Sequence, residues 1–196
     1  MLARPGPIPA RGRWAFEVKW DGFRALVRTE GEFRVRSRRG WDMTEFVPEL
    51  EALPVRGIFD GELVSFGSDG RPDFAAVCDR ILNRDEAVPL TFVVFDLLAL
   101  DGQATMALPY SERRQLLDAL GLCDDRWHVS PVFDDAIALW DVVVEREYEG
   151  IVAKRLTTPY RPGERGWIKT KNRDYWRYGQ EVEAIKRKIE RRRAFV

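Results

Sequence analysis

Residues 16–27 of this chain read Phe16-Glu-Val-Lys-Trp-Asp-Gly-Phe-Arg-Ala-Leu-Val27. Apolar residues alternate on both sides of a Lys-Trp-Asp-Gly corner, and such alternation is typical of two β-strands joined by a turn. Asp-Gly also favours a tight hairpin. The stretch therefore predicts that Trp14–Val18 and Phe23–Arg28 pair as a hairpin. Lys19 and Asp21 would lie at its turn, either as solvated surface charges or with the lysine placed to act as a nucleophile.

Length and composition describe a globular protein. With 196 residues, of which 45% are apolar and 33% charged, the chain can form one domain with a substantial core. Lys and Arg together number 32, as do Asp and Glu, so an anionic partner must meet local basic patches rather than a global field. Cys78 and Cys123 fit neither a disulfide framework nor a zinc site. Together with the absence of a signal peptide or a long apolar span, this predicts a cytoplasmic protein with no membrane partner.

Periodicity and turn residues predict the other elements. Strands are expected at 31–37, 57–66, 90–100, 151–156 and 166–171, and helices at 45–53, 73–82, 111–120, 134–148 and 180–193. The first three strands would form an antiparallel meander. Gly61 inside a strand indicates a bulge or the close approach of another group. Asp73 and Ser111 are the expected N-caps, and the apolar run 90–100 predicts a central strand in which Asp96 is the only charge.

Two common nucleotide-binding patterns are absent from the sequence. There is no G-x-x-x-x-G-K-S/T loop and no G-x-G-x-x-G after a strand, which argues against the commonest ATPase and dinucleotide-binding folds. The single histidine, His128, has no nucleophile motif beside it. It is therefore expected to be a packed or surface residue rather than a member of a catalytic triad.

Lysines and carboxylates recur at the ends of the predicted strands. Glu62 and Glu149 would suit a hard divalent cation such as Mg²⁺ or Mn²⁺. Lys169 and Lys171 lie two residues apart, so they share one strand face and could bind one phosphate together. Nearby positive charge and a metal would favour the neutral, nucleophilic amine of Lys19. For the buried-strand Asp96, a structural hydrogen-bond acceptor and a metal ligand remain alternatives.

Six motifs resemble those of the covalent nucleotidyltransferases, the superfamily of ATP-dependent DNA ligases, RNA ligases and capping guanylyltransferases. In chain order they are Lys19-Trp-Asp-Gly-Phe-Arg24, Ser37-Arg-Arg-Gly40, Phe59-Asp-Gly-Glu-Leu-Val64, Phe92-Val-Val-Phe-Asp-Leu-Leu98, Glu149-Gly-Ile-Val-Ala-Lys154 and Trp167-Ile-Lys-Thr-Lys171. Their wording is closest to the adenylation domains of bacterial ATP-dependent DNA ligases, including the end-joining ligase D group.

The resemblance implies an architecture. Residues 1–171 would form an α+β nucleotidyltransferase (ATP-grasp-like) domain of two antiparallel sheets with flanking helices and a nucleotide cleft between the sheets. Residues 172–196 would be a basic C-terminal helical extension. No OB-fold domain is expected within this chain. Either the chain is a natural minimal adenylation domain, or the OB-fold domain was removed, or a separate protein or domain supplies OB-fold or end-bridging functions.

The resemblance also implies roles for individual residues. Lys19 would attack the α-phosphate of ATP, release pyrophosphate and carry AMP, with Asp21, Lys169 and Lys171 as further catalytic residues. The nucleotide ligands would be Glu17, Phe95 and Val152 around the adenine, Arg24, Arg38 and Glu62 at the ribose and phosphates, and Lys154, Lys169 and Lys171 at the α-phosphate. Glu149, together with Glu62, would bind Mg²⁺ or Mn²⁺.

The acceptor implied by the resemblance is nicked double-stranded DNA. AMP would pass to the 5′-phosphate at the nick, and the 3′-hydroxyl would then displace it. Arg34, Arg36 and Arg38 would share a strand face by alternation and, with Arg39, could contact the phosphate backbone. An RNA ligase or another adenylate-transferring enzyme, or a nick-binding module without turnover, remain the alternatives.

Overall fold

Two β-sheets and three α-helices form the described part of the chain, which in this computed structural model comprises residues 1–53, 55–175 and 177. The strands are β1 (Ala3–Pro5), β2 (Trp14–Val18), β3 (Phe23–Arg28), β4 (Arg34–Ser37), β5 (Gly57–Val64), β6 (Thr91–Leu100), β7 (Gln103–Ala104), β8 (Trp127–Val129), β9 (Val132–Phe133), β10 (Gly150–Arg155) and β11 (Trp167–Lys171). The helices are α1 (Phe74–Leu82), α2 (Tyr110–Ala119) and α3 (Ala136–Glu145).

The strands divide between the sheets in an order that crosses the sequence. The first sheet runs β1-β11-β10-β2-β9, and the second runs β4-β3-β5-β6-β7, with β8 added beside β6. Pairing is antiparallel except for β1 with β11 and β8 with β6, which are parallel. The predicted pair of antiparallel sheets is therefore present, with one parallel pair added to each.

The predicted hairpin of β2 and β3 is wrong, because the two strands lie in different sheets. β2 pairs with β10 and β9, whereas β3 pairs with β4 and β5. The Lys19–Gly22 corner is thus a crossing between sheets, and it packs against the backbone of β5. A Cβ on Gly22 would lie 2.1 Å from the carbonyl oxygen of Leu63, so only glycine fits there.

Each sheet buries its outer face against helices. On the first sheet Phe16, Ile151 and Ile168 pack with Leu139 and Val143 of α3. The second sheet has a larger core, in which Val27, Phe59 and Phe92 pack with Val77 of α1 and Leu117 of α2. Because successive strand side chains alternate between faces, the intervening residues of both sheets point toward each other. A small apolar cluster that includes Leu98, Tyr160 and Trp167 closes the base of the space between them.

Of the two N-caps predicted from the sequence, Asp73 and Ser111, only Asp73 is present. The Asp73 side chain caps α1 by accepting a hydrogen bond from the Ala76 amide, as predicted. Ser111 is not the cap of α2, because the N-cap position is Pro109 and the helix start is instead held by backbone hydrogen bonds. The helix expected at 45–53 is two short 3₁₀ turns, Thr44–Phe46 and Pro48–Ala52, and the proline supplies the break between them.

The bulge predicted at Gly61 is confirmed. The register of β5 against β6 shifts between Asp60 and Gly61, and a Cβ on Gly61 would lie 2.6 Å from the Phe92 ring. The helix expected at 180–193, and with it most of the expected extension 172–196, lies outside the described residues. None of the helices in the described ranges has the length and apolar character needed to cross a bilayer.

Candidate active site

A cavity of about 1500 Å³ lies between the two sheets. Ten of the residues singled out from the sequence line it: Glu17, Lys19, Arg24, Arg38, Arg39, Glu62, Phe95, Val152, Lys154 and Lys169. Residues from both halves of the chain are thus brought to one site. Glu149 and Lys171 lie directly behind Lys19, while Asp21, Arg34 and Arg36 lie outside the lining.

Strand register explains how the first sheet presents its part of the site. Val152 of β10 lies between Glu17 of β2 and Lys169 of β11, so these three side chains form one row on the cavity face. One residue pair further along, Lys171 lies opposite Gly150, whose carbonyl accepts the Lys19 amide at 2.8 Å. The period of two therefore places Glu17, Lys154, Lys169 and Lys171 on one face of the sheet, and Lys19 follows the last residue of β2.

Glu149 joins the nucleophile candidate to the last strand. One of its carboxylate oxygens lies 2.5 Å from the Lys19 ammonium and the other lies 2.9 Å from that of Lys171. Burial would raise the pKa of Glu149, but the two lysines outweigh burial and hold this pKa below its usual value. Gly150 allows β10 and β11 to lie this close together beside Glu149. A Cβ at this position would lie 2.1 Å from the Thr170 carbonyl oxygen, and the φ of Gly150 is +150°.

Glu62 has the opposite electrostatic character. Burial raises its pKa to about 8, although Lys19 and Arg24 act against the increase. Within the described ranges it neither accepts a hydrogen bond nor forms an ion pair. A divalent cation bound beside Glu62 would supply the counter-charge that this carboxylate lacks.

Two carboxylates of the site, Glu62 and Glu149, are of the kind that could hold Mg²⁺ or Mn²⁺. No group of three or more His, Cys, Asp or Glu side chains suited to a metal occurs among the residues described, so the protein offers few ligands. Mg²⁺ is commonly held by one or two carboxylates while it retains waters and substrate phosphates. Glu62 and Glu149 match this arrangement.

Glu17 and Lys154 form a buried ion pair at the inner end of the cavity. The Lys154 ammonium lies 2.6 Å from Oε1 of Glu17, donates to the Phe95 carbonyl at 2.7 Å, and lies 4.6 Å from the centres of the Phe95 and Trp167 rings. Burial lowers the pKa of Lys154, and Glu17 partly opposes this. The role of Lys154 at the α-phosphate stays a prediction. In the structure, the Lys154 ammonium is paired with Glu17.

Arg24 is held by an acidic partner that the sequence did not single out. Its guanidinium donates to both carboxylate oxygens of Asp60, at 2.9 and 2.6 Å, and lies over the rings of Phe95 and Trp167. Burial disfavours the charged guanidinium, but Asp60 outweighs it and raises the pKa of Arg24. The Tyr160 hydroxyl donates to the same Asp60 carboxylate at 2.7 Å. These contacts fix Arg24 as part of the cavity wall.

Asp21 contacts the segment that follows β11. It accepts a hydrogen bond from the Tyr175 hydroxyl at 2.5 Å and forms an ion pair with Arg177, whose guanidinium lies 3.6 Å from the centre of the Phe74 ring. The predicted catalytic role of Asp21 remains a prediction. Its contacts are those of an anchor for the loop that carries Lys19.

The candidate DNA-contacting arginines lie on and after edge strand β4. Arg34 and Arg36 flank the fully buried Val35 and share one strand face. On the paired strand β3, Arg28 lies opposite Arg34 and Leu26 lies opposite Arg36. Arg38 does not share that face, because the strand ends at Ser37 and a turn follows, closed by the Gly40 amide donating to Ser37. Arg38 and Arg39 reach the cavity from this turn.

Asp96 is a structural residue. Both of its carboxylate oxygens accept from the Arg113 guanidinium, at 2.7 and 2.9 Å, and both side chains are buried. These contacts favour the alternative of a structural hydrogen-bond acceptor over that of a metal ligand. Of the two alternatives for His128, a packed or a surface residue, the structure shows the surface residue, exposed on β8.

Two tyrosines of the site were missed by sequence reasoning. Tyr110 donates to Glu17 and Tyr160 donates to Asp60, and both hydroxyls are buried. Neither residue belongs to a motif or to an alternating strand pattern. Only the three-dimensional arrangement reveals them.

Comparisons with known proteins agree with this geometry. The sequence model of the family described as ATP dependent DNA ligase domain matches residues 9–171. The multifunctional non-homologous end joining protein LigD of Mycobacterium bovis is 36% identical over 182 residues, which cover 88% of this chain and 24% of that protein. The chain thus spans about a quarter of the length of the LigD relatives it matches.

Solved structures agree in fold. The crystal structure of the ligase domain from M. tuberculosis LigD superposes with a TM-score of 0.77 at 35% identity, covering 87% of this chain and 58% of that one. A mycobacterial DNA ligase D complexed with ATP and MES gives a TM-score of 0.76 at 35% identity, with 87% and 59% coverage. The predicted α+β nucleotidyltransferase fold is confirmed.

Proposed function

The chain belongs to the ATP-dependent DNA ligase domain family, and we propose that it transfers AMP from ATP first to its own Lys19 and then to the 5′-phosphate at a nick in double-stranded DNA. The observation that carries the proposal is the position of Lys19. It follows the last residue of β2, lines a nucleotide-sized cavity, and lies among carboxylate and lysine side chains drawn from the distant β10 and β11 segments.

The first step is attack by a lysine amine on phosphorus. After the Lys19 ammonium has lost one proton to solvent, the lone pair of Nζ would form a bond to the α-phosphorus of ATP while the bond from this phosphorus to the bridging oxygen breaks; the second proton leaves Nζ as the phosphoramidate forms. Pyrophosphate leaves with the electron pair, and AMP remains as a phosphoramidate. Asp21 supports this step by anchoring the Lys19–Gly22 corner.

Charge at the reacting phosphate is the main demand on the site. Lys169 and Lys171 lie on the cavity side of β11, where their ammonium groups can stabilise charge that develops on the α-phosphate. Mg²⁺ or Mn²⁺ held by Glu62 and Glu149 would neutralise phosphate oxygens and replace the Lys19 ammonium as the counter-ion of Glu149.

The nucleotide itself would lie along the row Glu17, Val152 and Lys169. Phe95 from the second sheet and Val152 from the first line the same cavity from opposite sides, which suits stacking on a purine. Glu17 then offers a carboxylate to the edge of the base. Arg24 and Arg38 line the cavity where they can contact the ribose and phosphates.

The acceptor would approach from the side of β4. Arg34, Arg36 and Arg39 extend positive charge outward from the cavity, and contacts to phosphates hold a duplex without reading its sequence. The matched LigD protein is multifunctional and much longer than this chain. We therefore expect a further domain or partner with OB-fold or end-bridging functions to take part in sealing.

A single-turnover transfer experiment tests the acceptor. Adenylated protein, freed of ATP, is mixed with a duplex carrying a nick, either all DNA or with RNA on one side, and with an intact duplex as control. We expect AMP on the 5′-phosphate of the DNA nick and none on the intact duplex. Faster transfer to the nick with RNA would favour an RNA ligase, and nick binding without transfer would favour a binding module.

A further inference from the structure

The hydroxyl of Tyr110 lies beside Glu17, which lines the nucleotide cavity, although Tyr110 belongs to none of the six motifs. Tyr110 is the first residue of α2 and is 1% exposed. Its hydroxyl donates to Oε1 of Glu17 at 2.6 Å, across 93 positions of sequence. A buried hydroxyl bound to a cavity-lining carboxylate can control how that carboxylate meets a ligand.

Tyr110 is itself held rigidly. Its backbone amide donates to the Thr158 carbonyl at 2.9 Å. Two cations lie near its ring, the Lys154 ammonium 5.1 Å and the Arg113 guanidinium 5.7 Å from the ring centre. Arg113 is in turn fixed by both oxygens of Asp96. Contacts from the second sheet and from the loop after β10 therefore hold Tyr110 beside Glu17.

The two oxygens of Glu17 have different surroundings. Oε1 meets both Tyr110 and Lys154 at 2.6 Å. Oε2 accepts no hydrogen bond from any residue in the described ranges. It is not fully enclosed by protein, and Glu17 lines the cavity. An ionised carboxylate only accepts hydrogen bonds, so Oε2 favours a base that presents an N–H group.

We propose that Tyr110 is a positioning residue for base selection: it fixes Glu17 so that one carboxylate oxygen faces the cavity and accepts the exocyclic amine of adenine. This inference rests on the proposed use of ATP. Without Tyr110, the Glu17 carboxylate could rotate until the Lys154 ammonium contacts both of its oxygens. Oε2 would then no longer face the base. A base with a carbonyl at the same place, as in guanine, would face Oε2 with a second acceptor and be rejected.

Equilibrium binding tests the inference without requiring catalysis. The affinities of ATP and of purine riboside triphosphate, which lacks only the exocyclic amine, are measured by calorimetry in EDTA for wild type and Tyr110→Phe. We expect wild type to prefer ATP by about 10- to 100-fold, as for a hydrogen bond to a charged group. In Tyr110→Phe this preference should fall to about 3-fold or less, with the affinity for the analogue changed by less than about 3-fold.

Thr105→Val is the matched control, because it removes a buried hydroxyl that donates to the Leu97 carbonyl at 2.6 Å, outside the cavity lining. It should keep the wild-type preference for ATP. Tyr110→His, which retains a donor, should give an intermediate preference and carries the test if Tyr110→Phe does not fold. A wild-type preference in either folded Tyr110 variant would overturn the inference, and so would an equal loss of both affinities.

The outcomes separate this inference from the proposed function. Wild-type protein that binds ATP but never becomes adenylated would contradict the proposed function, while the measured preferences would still decide the role of Tyr110. Wild-type protein that binds neither nucleotide would overturn both.

Discussion

The Lys19 ammonium lies 2.5 Å from a carboxylate oxygen of Glu149, a residue 130 positions further along the chain. The same carboxylate also holds Lys171. One acidic residue therefore positions the nucleophile candidate against β11, the strand that carries Lys169 and Lys171.

Glu149→Gln should slow self-adenylation by at least about 100-fold, the size of loss that follows removal of one key group from a preorganised site. The amide keeps the shape but loses the charge that pairs with two lysines and would bind a metal. The rate is measured by intact mass at fixed ATP. Glu147→Gln changes an exposed carboxylate two positions earlier, paired with Arg71, and should stay within about 2-fold of wild type. Equal rates in the two variants would contradict the role of Glu149.

Glu62 should make the metal-free protein less stable as the pH rises. Its pKa in the folded protein is about 8 against an ordinary 4.5, so the folded state binds this proton more tightly than the unfolded state. The corresponding stability is full below pH 4.5 and is lost as the pH rises toward 8. Urea unfolding in EDTA should show this loss in wild type and a flatter profile in Glu62→Gln. An identical pH dependence in both proteins would refute the prediction, and Glu51→Gln, at an exposed position, serves as the control.

Asp96→Asn should lower the free energy of unfolding by about 3 kcal/mol, because it leaves the Arg113 charge buried without its partner. Since Asp96 does not line the cavity, the Mg²⁺ concentration for half-maximal adenylation should change by less than about 2-fold. Urea unfolding and metal titration provide the two readouts. Glu45→Gln, in an exposed pair with Arg84, should change stability by no more than about 0.5 kcal/mol. A shifted metal requirement with unchanged stability would instead support a metal-binding Asp96.

Reversing the charge at Arg34 and Arg36 should weaken nicked-DNA binding and lower the slope of log affinity against log salt by about 2, one for each lost phosphate contact. Affinity is measured at several salt concentrations. The matched control reverses Arg126 and Arg146, which are exposed and outside the cavity lining. If the control weakens binding as much as the Arg34 and Arg36 variant, net charge rather than this face holds the DNA.

Strand alternation made much of the site predictable from sequence. Val152 in β10 and Lys169 in β11 share the cavity face with Glu17 because each lies at the right parity in a regular strand. The charged residues that short motifs place at strand ends therefore lie close together, as expected. The bulge at Gly61 was predictable for a similar local reason, since glycine inside a strand rarely lacks a cause.

Long-range pairing made the rest unpredictable. The Asp-Gly signal suggested a hairpin, but β2 gains its partners from β9 and β10 near the other end of the chain, and these outweigh a local turn preference. Tyr110 illustrates the same limit at the site. Its hydroxyl is separated from Glu17 by 93 positions, and no local pattern around it indicates the contact.

The most direct test of the account is the intact mass of the protein after incubation with ATP and Mg²⁺, compared with the protein as purified and with Lys19→Ala. We predict that wild type gains one AMP, that peptide mapping places it on Lys19, and that Lys19→Ala gains none. An adduct that persists in Lys19→Ala, or a wild-type protein without AMP both before and after incubation, would contradict the account.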